Sequence, residues 1–161
     1  MKYLFIFAFI GVYWFFGLDL GYTADSPWWT HVTYMFQHAN VWHLLLNSFS
    51  WWVLFRALER FYRPWVIAAG AMLVAVVASW LCVYNVPTVG ASGMIYALMG
   101  AFLMLVATGK LVYRRRADLI LLIVSVVTFL VIGFIKHNSA GLLHLLCLVA
   151  GFGFTFKRKC V

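Results

Sequence analysis

Charge is what this sequence has least of. Of its 161 residues only 10% are charged, against 66% hydrophobic. The mean hydropathy is +0.97, whereas a soluble domain carries about 25% charged residues. That composition excludes a soluble globular domain and a disordered segment, and points to a membrane protein. Acidic residues are especially scarce: Asp19, Asp25, Glu59 and Asp118 are the only four, all at or outside the ends of apolar runs. A paired-aspartate mechanism is thereby excluded. No H-E-x-x-H is present, which excludes the zinc-peptidase arrangement of two histidines and a glutamate on one helix. The three cysteines, Cys82, Cys147 and Cys160, form no C-x-x-C. Free thiols are expected, with neither a disulfide framework nor a metal site.

What fills the chain instead is long apolar runs. They cover about residues 3–20, 41–58, 65–84, 92–109, 119–135 and 141–156, each near the ~20 residues that cross ~30 Å of hydrocarbon as a helix. These runs predict an all-α bundle of six transmembrane helices, a single membrane domain over residues 1–161, with no separate extramembrane domain. The run after Lys2 reads as the first span, because it is long for a secretory signal core and Tyr22 stands where cleavage wants a small residue.

Eleven of the 12 basic residues share one side: Lys2, then Arg56, Arg60 and Arg63, then Lys110 and Arg114 to Arg116, then Lys157 to Lys159. Lys136 lies opposite with Asp19 and Asp25. The positive-inside rule therefore places both termini in the cytoplasm. The net charge of +8 is read as setting orientation, and no nucleic-acid partner is expected. Trp28, Trp29, Trp42, Trp65 and Tyr84 sit near predicted span ends, as an interfacial aromatic belt does.

Polar groups inside the spans are the exception that needs a reason. Gln37, His38, Asn40, His43 and Asn47 crowd the extracytoplasmic half of the second span. Ser92 opens the fourth and His144 lies inside the sixth. Singly, such residues join helices by hydrogen bonds of about 0.6 to 2 kcal/mol; gathered at one depth, they mark a functional site. No carboxylate lies at the depth of His144, so a Ser-His-Asp triad is not expected and a Ser-His dyad remains. Its imidazole would take the proton that makes a hydroxyl nucleophilic.

The stretch from His38 through His43 to Asn47 is an H-x4-H-x3-N, and Gly90-Ala91-Ser92-Gly93 is a G-x-S-G followed by Tyr96 and Gly100. In these motifs the chain resembles the rhomboid intramembrane serine proteases, and the match runs over all six spans. The resemblance implies Ser92 as nucleophile, His144 as general base, and the Ser92 backbone N–H, His43 and Asn47 as an oxyanion hole. Tyr96 would pack on His144 and hold it without a third acid. Gly90, Gly93 and Gly151 would allow close approach, and His38, with Gln37 and Asn40, would hold water near the site. His43 and Asn47 are four residues apart, so one helix face can aim both at a single oxyanion. Asn40 is a candidate helix cap. His31 and His137 fall outside the motifs and receive no role.

The implied activity is hydrolysis of peptide bonds in or beside the transmembrane segments of other proteins. Single-pass membrane proteins would be the substrates, the lipid bilayer the medium, and no cofactor is required. The implied location is a multi-pass protein of the bacterial cell (inner) membrane. Three departures stand out. Thr30 follows Trp29 where an arginine is common, Cys147 replaces a glycine, and Leu143 precedes His144 where a small residue is usual. Leu143 is expected to strain the contact between the fourth and sixth spans. Two rivals are weighed: a weak or inactive binder of membrane helices with the same fold, and a haem-carrying bundle with His43 and His144 as axial ligands.

Overall fold

The computed structural model describes residues 1–15, 20–82, 84–111, 120, 124 and 141–153. It contains α1 (Lys2–Phe15), α2 (Thr30–Thr33), α3 (Val41–Leu58), α4 (Pro64–Leu81), α5 (Ser92–Ala107) and α6 (Gly141–Gly153). Among the described residues the architecture is all-helical, with one isolated antiparallel pairing between Tyr22 and Thr88. The fifth predicted run, apart from residues 120 and 124, lies outside the described residues. So do the end of the sixth run, the basic groups at 114–116 and 157–159, Asp19, Asp118, Lys136, His137 and Cys160.

Local chemistry sets the helix ends. Asn40 is extended and its side-chain oxygen accepts from the His43 N–H at 2.9 Å, so it caps α3 as expected. Pro64 opens α4 at a position where its missing N–H costs nothing. That helix ends earlier than the apolar run suggested: Cys82 leaves helical angles (φ −128°, ψ 90°), and its carbonyl accepts from the Tyr22 hydroxyl at 2.9 Å. α5 stops at Ala107, two residues short of the predicted 109. There the Thr108 hydroxyl bonds back to the Met104 carbonyl at 2.8 Å, and Gly109 turns away at φ +67°. Among the described residues α4 alone is both 18 residues long and apolar throughout. The apolar helices α1, α5 and α6 have 14, 16 and 13 residues. α3 reaches 18 but carries the polar side chains that lower its hydropathy.

The core is organised around α5, whose residues are mostly buried and which packs against α3, α4 and α6. α1 leans on α3: the Phe5 ring lies 4.8 Å from that of Trp51, and the Trp51 indole N–H donates to the Lys2 carbonyl at 3.3 Å. Lys2 also pairs with Glu59 at 2.6 Å, which ties the start of α1 to the end of α3. Leu45, Leu46 and Phe49 of α3, Leu73 and Val77 of α4 and Val149 of α6 face outward. In water such a surface would be a liability; lipid covers it without penalty.

The segment between α1 and α3, hereafter loop 1, holds one clear difference from the sequence reading. His31 belongs to α2 and is buried, at 5% exposure. Its ring is stacked on Trp80 at 4.1 Å and on Tyr22 at 4.7 Å. A histidine without a motif looks idle in sequence because Trp80, the ring it stacks on most closely, comes from the distant α4.

Candidate active site

Ser92 is the first residue of α5. The preceding turn is made possible by Gly90, at φ +113°, a conformation that L side chains rarely adopt. A Cβ on Gly90 would stand 2.5 Å from His43 Cε1 and 3.3 Å from Asn47 Nδ2. The turn before the serine therefore rests directly on the two polar side chains of α3. Those two residues share a face because they are one helical turn apart. Asn47 is buried and its Nδ2 has no hydrogen-bond partner among the described residues. An amide donor left open in a core is costly unless something binds to it.

From the other side α6 delivers His144. Its Nε2 lies 2.8 Å from Ser92 Oγ, and its ring is stacked on that of Tyr96, one turn along α5, at 4.5 Å and 16°. His144 Nδ1 is buried with no partner among the described residues. Among the described residues no third polar side chain bonds to this imidazole, and the face of the Tyr96 ring packs against it.

Glycines set the distance between α5 and α6. A Cβ on Gly100 would collide with the Leu148 carbonyl and the Phe152 amide, and a Cβ on Gly151 with the backbone of Ala97. The two helices thus touch backbone to backbone. Gly93, one turn above Ala97, would place a Cβ 3.4 Å from Ala75 Cβ and 3.5 Å from Cys147 Sγ. Cys147 accordingly occupies the stripe with His144 and Gly151 that faces α5. Leu143 is fully buried and does not hold the helices apart, contrary to the strain expected of it. Cys82 and Cys147 are both buried free thiols.

The remaining candidates are near but play other parts. His38 is buried, its Nδ1–H donating to the Phe36 carbonyl at 3.2 Å and its Nε2 without a partner among the described residues. Its ring stands edge-on to His43 at 5.2 Å and to Phe9 at 5.3 Å. Gln37 is a tether, its side-chain oxygen accepting from the Leu20 N–H at 2.7 Å. Thr30 is buried, and its hydroxyl donates to the Pro27 carbonyl at 2.6 Å. Sequence reasoning missed Tyr34, whose carbonyl accepts from the Gly90 N–H at 2.9 Å. No motif marks it; a tyrosine between spans reads as an interfacial residue.

With Ser92, His144 and Tyr96 in contact, and the α3 pair beneath the turn, the comparisons with known proteins can be set beside the geometry. A family profile described as the Rhomboid domain matches residues 25–159. YdcA, a candidate rhomboid protease of Bacillus subtilis (strain 168), is 30% identical over 145 residues, covering 87% of this chain and 71% of that protein. The rhomboid protease GluP of the same organism is 27% identical over 132 residues, covering 80% of this chain but only 26% of that much longer protein. The profile spans most of the chain and includes every residue of both motifs, and the chain belongs to the rhomboid family of integral membrane proteins.

Proposed function

We propose that this protein is an intramembrane serine endopeptidase working through a Ser92–His144 dyad. The observation that carries the reading is the 2.8 Å approach of Ser92 Oγ to His144 Nε2 under the Tyr96 ring. As Oγ attacks the carbonyl carbon of a substrate peptide, its proton passes to Nε2, and the imidazolium then protonates the departing amine. Water repeats the exchange to release the acyl group. Charge on the tetrahedral oxygen is met by the Ser92 N–H at the start of α5, the open Asn47 amide and the His43 ring, each worth about 3 kcal/mol when preorganised.

Substrates on this reading are single-pass membrane proteins whose helix enters the site from the bilayer. Residues 1–161 form one domain of six spans in a bacterial cell membrane, with both termini cytoplasmic. The Lys2–Glu59 pair supports that topology by joining the start of the first span to the end of the second. The basic residues near the same ends agree with it. The haem alternative loses support, because His144 Nε2 already faces Ser92.

The test is a purified protein in detergent with a model transmembrane substrate. Ser92→Ala and His144→Ala should each abolish cleavage with the fold intact, and their losses should not add. A fluorophosphonate should label Ser92 in the parent and fail in His144→Ala. Undiminished labelling without His144 would refute the dyad.

A further inference from the structure

Loop 1 meets α4 along one stripe and the serine turn along another, and both sets of contacts are specific. On the α4 side three loop residues reach three acceptors. The Tyr34 hydroxyl donates to the Ala75 carbonyl at 3.2 Å, and the Tyr22 hydroxyl to the Cys82 carbonyl at 2.9 Å. Between them His31 Nδ1 lies 3.0 Å from Ser79 Oγ. Ser79 donates its own proton to the Val76 carbonyl at 2.7 Å, so its oxygen accepts from Nδ1–H. Ala75 and Ser79 are one turn apart on one face of α4, and Cys82 is the residue just past its end.

On the other side the same loop holds the chain that leads to Ser92. Tyr22 and Thr88 exchange both backbone hydrogen bonds, at 3.2 and 3.0 Å, and the Ala24 N–H donates to the Tyr84 carbonyl at 3.1 Å. The Tyr34 carbonyl then fixes the Gly90 N–H. The rings lock together: His31 is sandwiched between Trp80 of α4 and Tyr22 of the loop, and Tyr22 meets Tyr34 edge to face at 4.9 Å. Gly90 in turn lies against His43 and Asn47. A displacement of Gly90 is therefore passed directly to those two side chains.

We propose that His31, Tyr22 and Tyr34 are positioning residues for the reaction. They transmit the position of Ala75 and Ser79 of α4, and of Cys82 just past its end, to Gly90, and so set the oxyanion donors relative to Ser92. The inference rests on the reading of His43 and Asn47 as those donors. Small misplacements of a catalytic group lose large factors in turnover, so a brace of this kind is read in kcat more than in KM.

The experiment is a double-mutant cycle in detergent at a temperature where every variant is folded, with turnover normalised to folded protein. His31→Ala should lower kcat about tenfold or more at unchanged KM. His31→Phe, which keeps the stack but not the bond to Ser79, should recover only part of it. In the Asn47→Ala background, the His31→Ala loss should shrink to less than about threefold, since both changes act on the same donors. Trp80→Leu gives a second, milder handle: Trp80 is 55% exposed, so its loss spares the core. It should lower kcat at least about threefold with the same non-additivity.

Amide exchange in a Ser92→Ala protein supplies a readout independent of catalysis: Gly90 N–H should exchange at least about tenfold faster in either variant. Parental turnover in His31→Ala or Trp80→Leu, additive losses with Asn47→Ala, or unchanged Gly90 protection would overturn the positioning role. Full turnover in Asn47→Ala alone would instead overturn the oxyanion reading on which it rests.

Discussion

The two approaches to Ser92 are built on glycine in different ways. Between α5 and α6, Gly100 and Gly151 remove side chains so that two regular helices touch backbone to backbone. The demand there is volume alone, and it brings His144 to the serine. At the turn over α3, Gly90 must leave room for His43 and Asn47 and also adopt φ +113°. That contact joins backbone to side chain, and its position depends on hydrogen bonds from loop 1. On the proposed mechanism a rigid helix contact carries the proton-transferring pair, and a braced turn carries the charge-stabilising donors.

The largest expected effect comes from breaking the helix contact. Gly151→Leu should give no folded, active protein, because its side chain has only the Ala97 backbone to enter. Thermal melting and recovery of the detergent-solubilised protein check this. Recovery of a stable, active variant would refute the close α5–α6 contact.

Gly90→Ala should separate the two regions. Its Cβ meets the His43 ring at 2.5 Å and the backbone is strained as well. Turnover should fall at least about 100-fold, while the stacking of His144 on Tyr96 survives, as read by aromatic chemical shifts of those rings.

Asn47→Leu sharpens the same side. Its Nδ2 has no partner to lose among the described residues, so the change should be neutral or stabilising in a melt. kcat should fall about 10²- to 10³-fold with little change in KM. Lost stability at full turnover would make Asn47 a structural residue.

Loop 1 offers a smaller, pH-dependent effect. Burial lowers the pKa of His31 below the ordinary value, so as pH falls the unfolded chain takes up the proton first. Stability from neutral His31 is whole above about pH 6.5 and declines as the pH drops through that value. His31→Phe should therefore flatten the fall in Tm between about pH 7 and pH 5 relative to the parent. An identical slope in both would show that His31 does not titrate with folding. The smallest effect is at the α3 cap, where Asn40→Ala should cost about 1 kcal/mol with turnover nearly intact, measured by chemical denaturation.

How much of this was readable in the chain differs by residue. Ser92, Tyr96, His43 and Asn47 could be placed on shared faces from spacing alone, since a helix fixes where residues four apart point. Asn40 was readable as a cap because capping is local chemistry. Helix ends were less so: Leu81 and Ala107 end their helices before the apolar composition changes, at Tyr22's bond to Cys82 and at Gly109. Leu143 looked obstructive because its size was visible and its burial place was not.

Hydropathy and charge by themselves determined a membrane chain, its runs and the end of each that carries positive charge, because partitioning into lipid depends on composition. Motif spacing determined which polar residues could meet on one helix. Only the tertiary structure decided that His144 reaches Ser92, that the Gly90 turn closes over Asn47, and that His31 is a buried link between Tyr22 and Trp80. These contacts join residues distant in sequence, and helical periodicity reaches no further than the helix that carries it.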